Sequence, residues 1–282
     1  MKITVVGCGN AFSKKQFNQC YMLEEDGRRL LIDFGAKVPY ALDHLSIDIK
    51  TINDIYISHL HGDHVGGLEE LAFLRYDWVR RPQHYSERHE SMKAPCLIGN
   101  SQLLSDLWRK SLRGGLESME GFDATIETYF EPVAIAPNKT FGWMGWECKL
   151  IQQIHIMTGS MISHTFGLFM TKPDHKSIYF TTDSQHCSPR QIEIFYKKAD
   201  IIFQDCECVG CDIVKRNSDF ISGVHANYAQ LAAWPSANSV DVGNSIREKM
   251  FLSHYQDFVI LGKDYKGQDC QWFQMALDDG FK

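Results

Sequence analysis

Short apolar runs alternate along the chain with segments in which apolar residues recur at helical spacing. Near the start, four runs have the length and content of β-strands. They are residues 2–6, 20–25, 29–33 and 55–57. Asp26-Gly27, between the second and third runs, is a pair typical of a two-residue hairpin turn. Helical spacing follows at 68–78.

The rest of the chain continues this mixture. Further strands are predicted at 95–98, 125–130, 147–156, 165–171, 177–183, 200–203 and 250–253. Further helices are predicted at 101–112, 189–198 and 226–234. Many strands with inserted helices favour an α/β protein with two sheets sandwiched between helices over a doubly wound parallel sheet. No repeat, low-complexity segment or linker divides the chain, so we expect a single domain over residues 1–282.

Composition narrows the class of protein. The 282 residues are 44% hydrophobic and 23% charged, which is enough for a sizeable core. The net charge of -6 argues against a protein that grips long nucleic acid. No apolar run approaches the roughly 20 residues of a membrane span, and the start lacks a secretory signal. Nine cysteines without a framework pattern indicate reduced thiols and a cytoplasmic location.

The densest group of chemically active residues is HLHGDH at 59–64, directly after a predicted strand. Imidazole and carboxylate groups are suitable ligands for zinc, manganese or iron. Strand alternation would direct His59 and His61 into one cavity, and Gly62 would permit the bend that brings Asp63 and His64 round. Four potential ligands could serve two adjacent ions. The alternative is a solvated polar turn that happens to be rich in histidine.

This stretch fits the HxHxDH signature, and the chain resembles the metallo-β-lactamase fold hydrolases along nearly its whole length. VVGCGNAF at 5–12 and LLIDFG at 30–35 are similar to the first strands and the early aspartate motif of that superfamily. The resemblance implies a four-layer αββα sandwich. It also implies that Asp33 supports the ring of a histidine ligand, which raises ligand basicity.

The same resemblance implies further ligands downstream. They are His155 at the end of an apolar strand, Asp183 in SIYFTTDSQ and His254 in MFLSHYQD. His164 competes with His155 for its role, and the strand-end position favours His155. The implied arrangement places one ion on His59, His61 and His155 and a second on Asp63, His64 and His254, with Asp183 bridging them. The cofactors would be two divalent ions, zinc or else manganese.

Two later segments are similar to the ribonuclease Z-like branch of the superfamily. ADIIFQDCECVG at 199–210 resembles its HEAT-type segment, and VHANYAQLAAW at 224–234 resembles its HST-type segment. Carried over, His225 would stabilise charge on the scissile phosphate or protonate the leaving oxygen, while Asp205 would hold its ring. These two and Asp63 are the expected catalytic residues. Gln204 replaces a histidine of the HEAT-type segment, so the orienting network departs from the pattern.

The length of one connection favours a small substrate. Ribonuclease Z proper carries a long arm after its third-motif histidine, whereas only 27 residues lie between His155 and Asp183. We therefore expect a phosphodiesterase for a small or cyclic nucleotide, similar to the phage anti-Pycsar enzymes that destroy cyclic pyrimidine mononucleotides. Such relatives are usually homodimers, and a viral member would act in the host cytoplasm. The alternatives are a tRNA 3′-processing endonuclease and a lactonase or thioesterase. The basic, aromatic stretch 75–89 could be a lid or a solvated helix pair.

Overall fold

The computed structural model describes residues 1–80, 93–174, 176–185, 189–208, 224–232, 246–263 and 267–282, without the side chains of 78–80 and 189–192. Most of the basic, aromatic stretch 75–89 lies outside these residues. The chain divides into two compact units. Unit 1 comprises Met1–Ala11 and Phe17–Lys139, and unit 2 comprises Phe12–Gln16 and Thr140–Lys282.

Unit 1 contains one six-stranded sheet in the order β1-β2-β3-β4-β5-β8 and a small hairpin, β6-β7. Its strands are β1 (Lys2–Gly7), β2 (Cys20–Glu25), β3 (Arg28–Ile32), β4 (Asp54–Ile57), β5 (Cys96–Asn100), β6 (Ser118–Met119), β7 (Phe122–Asp123) and β8 (Glu131–Ile135). The first three are antiparallel, and β3, β4, β5 and β8 run parallel. The predicted hairpin turn is confirmed, since Asp26 and Gly27 have φ values of 48° and 77° and join the paired residues Glu25 and Arg28.

Helices cover the apolar surface of this sheet. They are α1 (Val38–His44), α2 (Gly62–Val65), α3 (Leu68–Arg80), α4 (Ser101–Leu107), α5 (Arg113–Leu116) and α6 (Ile126–Tyr129), with a 3-10 turn at Ile49–Thr51 and a π-helical turn at Trp108–Leu112. Leu31 and Ile55 of the strands and Leu71, Leu104 and Leu116 of the helices belong to one buried cluster. Burying aliphatic side chains on one face of each element stabilises both.

The strand predicted at 125–130 is wrong, because this segment forms the helix α6. The backbone N–H of Thr125 donates to Thr128 Oγ1 at 3.0 Å, which is the return bond of a helix N-terminal capping box. The hydroxyl of buried Tyr129 donates to the carbonyl of Leu116 at 2.7 Å. These contacts fix a helical turn, and the strand β8 begins only at Glu131.

Unit 2 contains a second six-stranded sheet, in the order β14-β13-β12-β11-β10-β9. Its strands are β9 (Thr140–Trp143), β10 (Trp146–Thr158), β11 (Met161–Thr171), β12 (Ser177–Phe180), β13 (Ile201–Asp205) and β14 (Met250–Ser253). Its helices are α7 (Pro189–Lys198), α8 (Tyr228–Ala232), α9 (Asp257–Ile260) and α10 (Trp272–Asp278), with a 3-10 turn at Arg247–Lys249. Because β12, β13 and β14 run parallel, their carboxyl ends lie at one edge of the sheet.

The prediction of two sheets with inserted helices is confirmed. No helix of the described residues is long and apolar enough to cross a membrane. The expectation of reduced thiols is wrong at Cys270, which is disulfide-bonded. The described cysteines 8, 20, 96, 148, 206 and 208 carry free thiols. The single-domain prediction stays a prediction.

We expect Gly27→Ala to lower the free energy of unfolding by about 1 kcal/mol, because Gly27 has the left-handed φ that a Cβ disfavours. Gly114→Ala is the control, since Gly114 lies in the helix α5 and a Cβ there meets no atom within 4 Å. That substitution should raise stability by roughly 0.5–1 kcal/mol. Urea denaturation measures both changes, and an equal response of the two variants would contradict the turn assignment.

Candidate metal centre

Unit 1 carries the HLHGDH stretch as a tight loop after β4 that continues into the helix α2. The strand β4 is buried throughout, and Ser58 and His59 after it are buried too. His61 is the extended residue that precedes α2. His59 Nε2 and His61 Nδ1 lie 3.1 Å apart. Two nitrogens bound to one tetrahedral zinc at its usual bond length lie about 3.3 Å apart, so this spacing suits a shared ion.

Asp33 organises the same loop from the end of β3, where it has a left-handed φ of 65° and is buried. Its Oδ1 accepts from the Ser58 backbone N–H at 2.8 Å, and its Oδ2 accepts from Ser58 Oγ at 2.7 Å. His64 Nδ1 lies 2.8 Å from Asp33 Oδ2. Because an ionised carboxylate only accepts, His64 donates from Nδ1 and keeps a lone pair on Nε2.

The tautomer of His59 follows from its neighbour. Ser58 Oγ already gives its one proton to Asp33, so across the 3.0 Å contact with His59 Nδ1 it must accept. His59 therefore also carries its proton on Nδ1 and presents a lone pair on Nε2. Hydrogen bonds of this kind fix the ring orientation of metal-ligating histidines. The structure thus places Asp33 where the sequence predicted, and it adds Ser58 to the supporting groups.

Glycines let the loop approach the segment that follows β3. A Cβ on Gly35 would lie 1.8 Å from the Asp63 carbonyl oxygen, and one on Gly67 would lie 2.6 Å from the Gly35 carbonyl oxygen. A Cβ on Gly66 would likewise lie 2.5 Å from the Gly62 carbonyl oxygen, so Gly66 and Gly67 both permit a close backbone approach. The role given to Gly62 is wrong, since Gly62 begins the helix α2 and a Cβ there meets nothing within 4 Å.

Unit 2 presents a buried aspartate shortly after β12. The two oxygens of Asp183 face different histidines: Oδ1 lies 3.4 Å from His254 Nε2, and Oδ2 lies 3.8 Å from His155 Nε2. His254 follows β14 directly, with a left-handed φ of 66°. A carboxylate whose oxygens point to two ligand groups has the form needed to bridge two cations.

His155 reaches this place through a β-bulge. Ile154 pairs with His164 and Ile156 pairs with Ser163, so His155 is the extra residue of β10. His155 is buried, and its Nδ1 lies 3.0 Å from the Val224 carbonyl oxygen, which leaves Nε2 for a ligand role. His164 is exposed on β11. Burial and the Asp183 contact therefore favour His155 over His164.

Asp205 and His225 form a close pair beside Asp183. His225 Nδ1 lies 2.8 Å from Asp205 Oδ2, which also accepts from the Ser184 backbone N–H at 2.8 Å. Burial opposes the negative charge of Asp205, yet the charge of His225 and its hydrogen bond lower the pKa of Asp205. Burial likewise opposes charge on His225, but the charge of Asp205 and its hydrogen bond raise the pKa of His225. The pair is therefore a carboxylate with a proton-carrying imidazole.

The donor set fits divalent metal ions. In unit 1, Nδ1 of His59 contacts Ser58 and Nδ1 of His64 contacts Asp33. In unit 2, Nδ1 of His155 contacts the Val224 carbonyl. His254 repeats this pattern, with Nδ1 3.4 Å from Asp205 and Nε2 facing Asp183. Within unit 2, Asp183, Asp205, His225 and His254 each present a ligand atom, and these atoms lie within 4.8 Å of one another. Neutral imidazole and carboxylate ligands of this kind suit zinc or manganese.

Some contributing groups escape sequence reasoning. Val224 and Ser184 act through backbone atoms, which leave no trace in residue type. Gly35 is required by a contact distant in sequence. Ser58 could have been found, because a hydroxyl between a strand and the first histidine of the loop is a suitable supporting group.

The sheets and the buried histidines and aspartates of each unit define a metal-dependent hydrolase of the metallo-β-lactamase fold. Three solved structures share this fold. They are the metallo-β-lactamase fold protein YhfI from Bacillus subtilis (TM-score 0.63, 17% identity, 91% of this chain and 87% of that one), human tRNase Z, short form (0.62, 15%, 92% and 94%), and zinc-bound PqqB from Methylobacterium extorquens (0.66, 12%, 100% and 97%).

The chain belongs to the Anti-Pycsar protein Apyc1 family, whose sequence pattern matches residues 1–270. A relative of that name from Paenibacillus harenae is 29% identical over 262 residues, which are 92% of this chain and 91% of the relative. Another, from Bacillus phage 010DV004, is 27% identical over 262 residues, covering 91% and 90%. The predicted fold class and the predicted metal-dependent hydrolase are thereby confirmed, and the chain is a metal-dependent phosphodiesterase.

We expect Gly35→Ala to displace the loop of unit 1 and to reduce zinc binding, because the added Cβ would overlap the Asp63 carbonyl. Gly62→Ala is the matched control inside the HLHGDH stretch, and we expect it to bind zinc like the wild type. Zinc titration of the purified apo-proteins, with circular dichroism as a check of folding, compares them. Weakened binding in Gly62→Ala alone would refute this assignment.

Asp33→Asn should weaken metal binding by about 10–100-fold, since loss of a supporting carboxylate has that effect on other histidine sites. The amide cannot accept from both Ser58 and His64 with the strength of a carboxylate. Competition with a chromogenic chelator measures the affinity. The exposed Asp123→Asn of β7 is the control, and equal affinity of the two variants would contradict the role of Asp33.

Proposed function

We propose that this phosphodiesterase hydrolyses a small nucleotide phosphodiester, with a cyclic mononucleotide as the leading substrate. The observation that carries the proposal is the Asp205–His225 pair beside Asp183. His225 Nδ1 lies 3.9 Å from Asp183 Oδ2, so a proton-carrying imidazole adjoins a candidate bridging carboxylate. Family membership supports the same substrate class, because relatives carry the name anti-Pycsar protein.

The proposed centre holds two divalent ions, with zinc as the first choice and manganese as the second. His59, His61 and His155 would hold one ion, and Asp63, His64 and His254 would hold the other, with Asp183 shared. The two-sided environment of Asp183 and the matching Nδ1 contacts of four histidines support this division. When bound, such ions supply Lewis acidity and make water acidic enough to act as a nucleophile near neutral pH.

The remaining residues are assigned to charge and proton handling. Asp63 would fix the second ion at the reacting centre. His225, with Nδ1 held by Asp205, would present its Nε2–H to the phosphate and pass that proton to the leaving oxygen as the P–O bond breaks. Asp205 keeps the imidazole oriented and raises its pKa against the effect of burial, which suits a general acid near neutral pH.

A small substrate agrees with the chain between His155 and Asp183. In the described residues, this segment consists of the end of β10 and the strands β11 and β12. That hairpin leaves little chain for a long RNA-gripping arm. A tRNA 3′-processing endonuclease is the second candidate, because human tRNase Z, short form, shares the fold. A lactonase or thioesterase is the third. A homodimer in the cytoplasm, of a host cell if the protein is viral, completes the proposal, and the phage relatives support that setting.

A substrate panel tests the proposal. Zinc- or manganese-reconstituted protein is offered bis-p-nitrophenyl phosphate, 3′,5′- and 2′,3′-cyclic mononucleotides, a precursor tRNA, a lactone and a thioester. We expect turnover of the model phosphodiester and of a cyclic mononucleotide. Cleavage of the precursor tRNA alone would favour the second candidate. Turnover of the lactone or thioester without any phosphodiester would overturn the proposal.

His225→Ala should lower kcat on bis-p-nitrophenyl phosphate by about 10²–10⁴-fold, the range of a lost general acid. Its metal content should stay at the wild-type level, because His225 is not one of the proposed ligands. His164→Ala is the control, since His164 is exposed, and it should keep wild-type turnover. Metal analysis and steady-state kinetics measure both. Unchanged turnover in His225→Ala would favour a carbon-centred hydrolase.

A further inference from the structure

A buried chain of hydrogen bonds lies behind Asp205 in unit 2. Tyr196 of α7 donates from its hydroxyl to Gln204 Oε1 at 2.7 Å, and Gln204 Nε2 donates to the Asp205 carbonyl oxygen at 2.9 Å. Tyr196 is 2% exposed, Gln204 1% and Asp205 0%. Polar groups at this depth are costly to leave without partners, so the chain is a fixed arrangement.

These bonds hold the backbone on both sides of the Asp205 side chain. Its N–H donates to Thr181 Oγ1 at 2.9 Å, while its carbonyl accepts from Gln204. Ser253 Oγ also donates to the Gln204 carbonyl at 3.2 Å. The strand β13 ends at Asp205, and the next backbone contact is the Cys206 N–H, which donates to the Ser253 carbonyl at 2.9 Å. The side-chain contacts of Gln204 and Tyr196 add to this backbone pairing and to the Ser184 N–H bond in setting the direction of the Asp205 carboxylate.

Gln204 is suited to this place by its two-ended chemistry. One end of the amide accepts from a phenol and the other donates to a carbonyl, and both partners are buried. A thioether accepts only weakly and cannot donate, whereas a neutral imidazole can do both. The hydrogen bond from His225 to Asp205 spans 2.8 Å, and pairs of this kind tolerate displacements of only about 0.5 Å.

We propose that Gln204 and Tyr196 are positioning residues for the phosphodiesterase reaction, which act by holding Asp205 and through it the ring of His225. Neither residue touches the substrate. The inference rests on the proposed function, because it assigns them an effect through the Asp205–His225 pair. Gln204, which replaces a histidine of the HEAT-type segment, thus has a structural role in the candidate site.

The first test substitutes Gln204 by a side chain of similar length without its polar ends. Gln204→Met should lower kcat on bis-p-nitrophenyl phosphate by about a hundredfold, the effect of a misplacement near 1 Å. We expect the KM and the metal content to stay close to those of the wild type, while the melting temperature should fall, because the buried Tyr196 hydroxyl and Asp205 carbonyl lose their partner. Gln204→His, which restores one donor and one acceptor, should recover most of kcat.

Tyr196→Phe is a milder variant that removes only the phenol donor. Loss of one hydrogen bond should reduce kcat about fivefold. Tyr129→Phe is the matched control, because it loses an equally short buried bond, from its hydroxyl to the Leu116 carbonyl, in unit 1. We expect Tyr129→Phe to keep wild-type kcat. Equal kcat in Tyr196→Phe and Tyr129→Phe would count against the inference.

A double-mutant cycle separates positioning from a general loss of structure. In a His225→Ala background, Gln204→Met should change kcat by less than about twofold, since the group on which it acts is gone. If Gln204→Met still lowers kcat about a hundredfold in the His225→Ala background, the inference is overturned. Wild-type kcat in the Gln204→Met single variant would overturn it too. Unchanged kcat in His225→Ala itself would instead defeat the proposed function.

Discussion

The burial of three aspartates is the constraint on which both units depend. Asp33, Asp183 and Asp205 are each at most 1% exposed. An ionised carboxylate at that depth costs several kcal/mol unless hydrogen bonds or opposite charges offset the lost hydration. Each lies at or shortly after the end of a strand, and each faces at least one histidine. Asp33 faces His64, Asp183 faces His155 and His254, and Asp205 faces His225. The histidines in turn gain a fixed orientation.

Residue type and strand position carry enough information to predict much of this site. The histidines and aspartate in HLHGDH, and the aspartate in LLIDFG, are residue types whose chemistry is specific and whose places after apolar strands are visible in the sequence. The preference for His155 over His164 rested on a strand end expected at His155, whereas β10 continues to Thr158 and His155 lies at a bulge inside it. The β-bulge that frees His155 from the ladder is not visible in the residue pattern, because it depends on how two long strands pair.

What the sequence could not provide is tertiary in origin. The segment at 125–130 has strand-like residues, yet a capping box and the Tyr129 hydroxyl make it helical. Gly62 lies among the candidate ligands, and a Cβ there would meet no atom within 4 Å, whereas Gly35, far from them in sequence, is packed against the Asp63 carbonyl. From the sequence alone, Gln204 only lacks the histidine of the HEAT-type segment. The structure shows that its amide bonds to both the Tyr196 hydroxyl and the Asp205 carbonyl. Apart from the capping box, which joins residues only three positions apart, each case depends on a contact that the local pattern does not contain.

The central claim is that Asp183 serves two metal ions, and counting ions tests it most directly. The wild-type protein and Asp183→Ala are loaded with zinc, dialysed and analysed by inductively coupled plasma mass spectrometry alongside their protein concentration. The account predicts two zinc ions per wild-type chain and no more than one per chain in Asp183→Ala, with the variant still folded by circular dichroism. A single ion in the wild type, or two ions retained without Asp183, would contradict it.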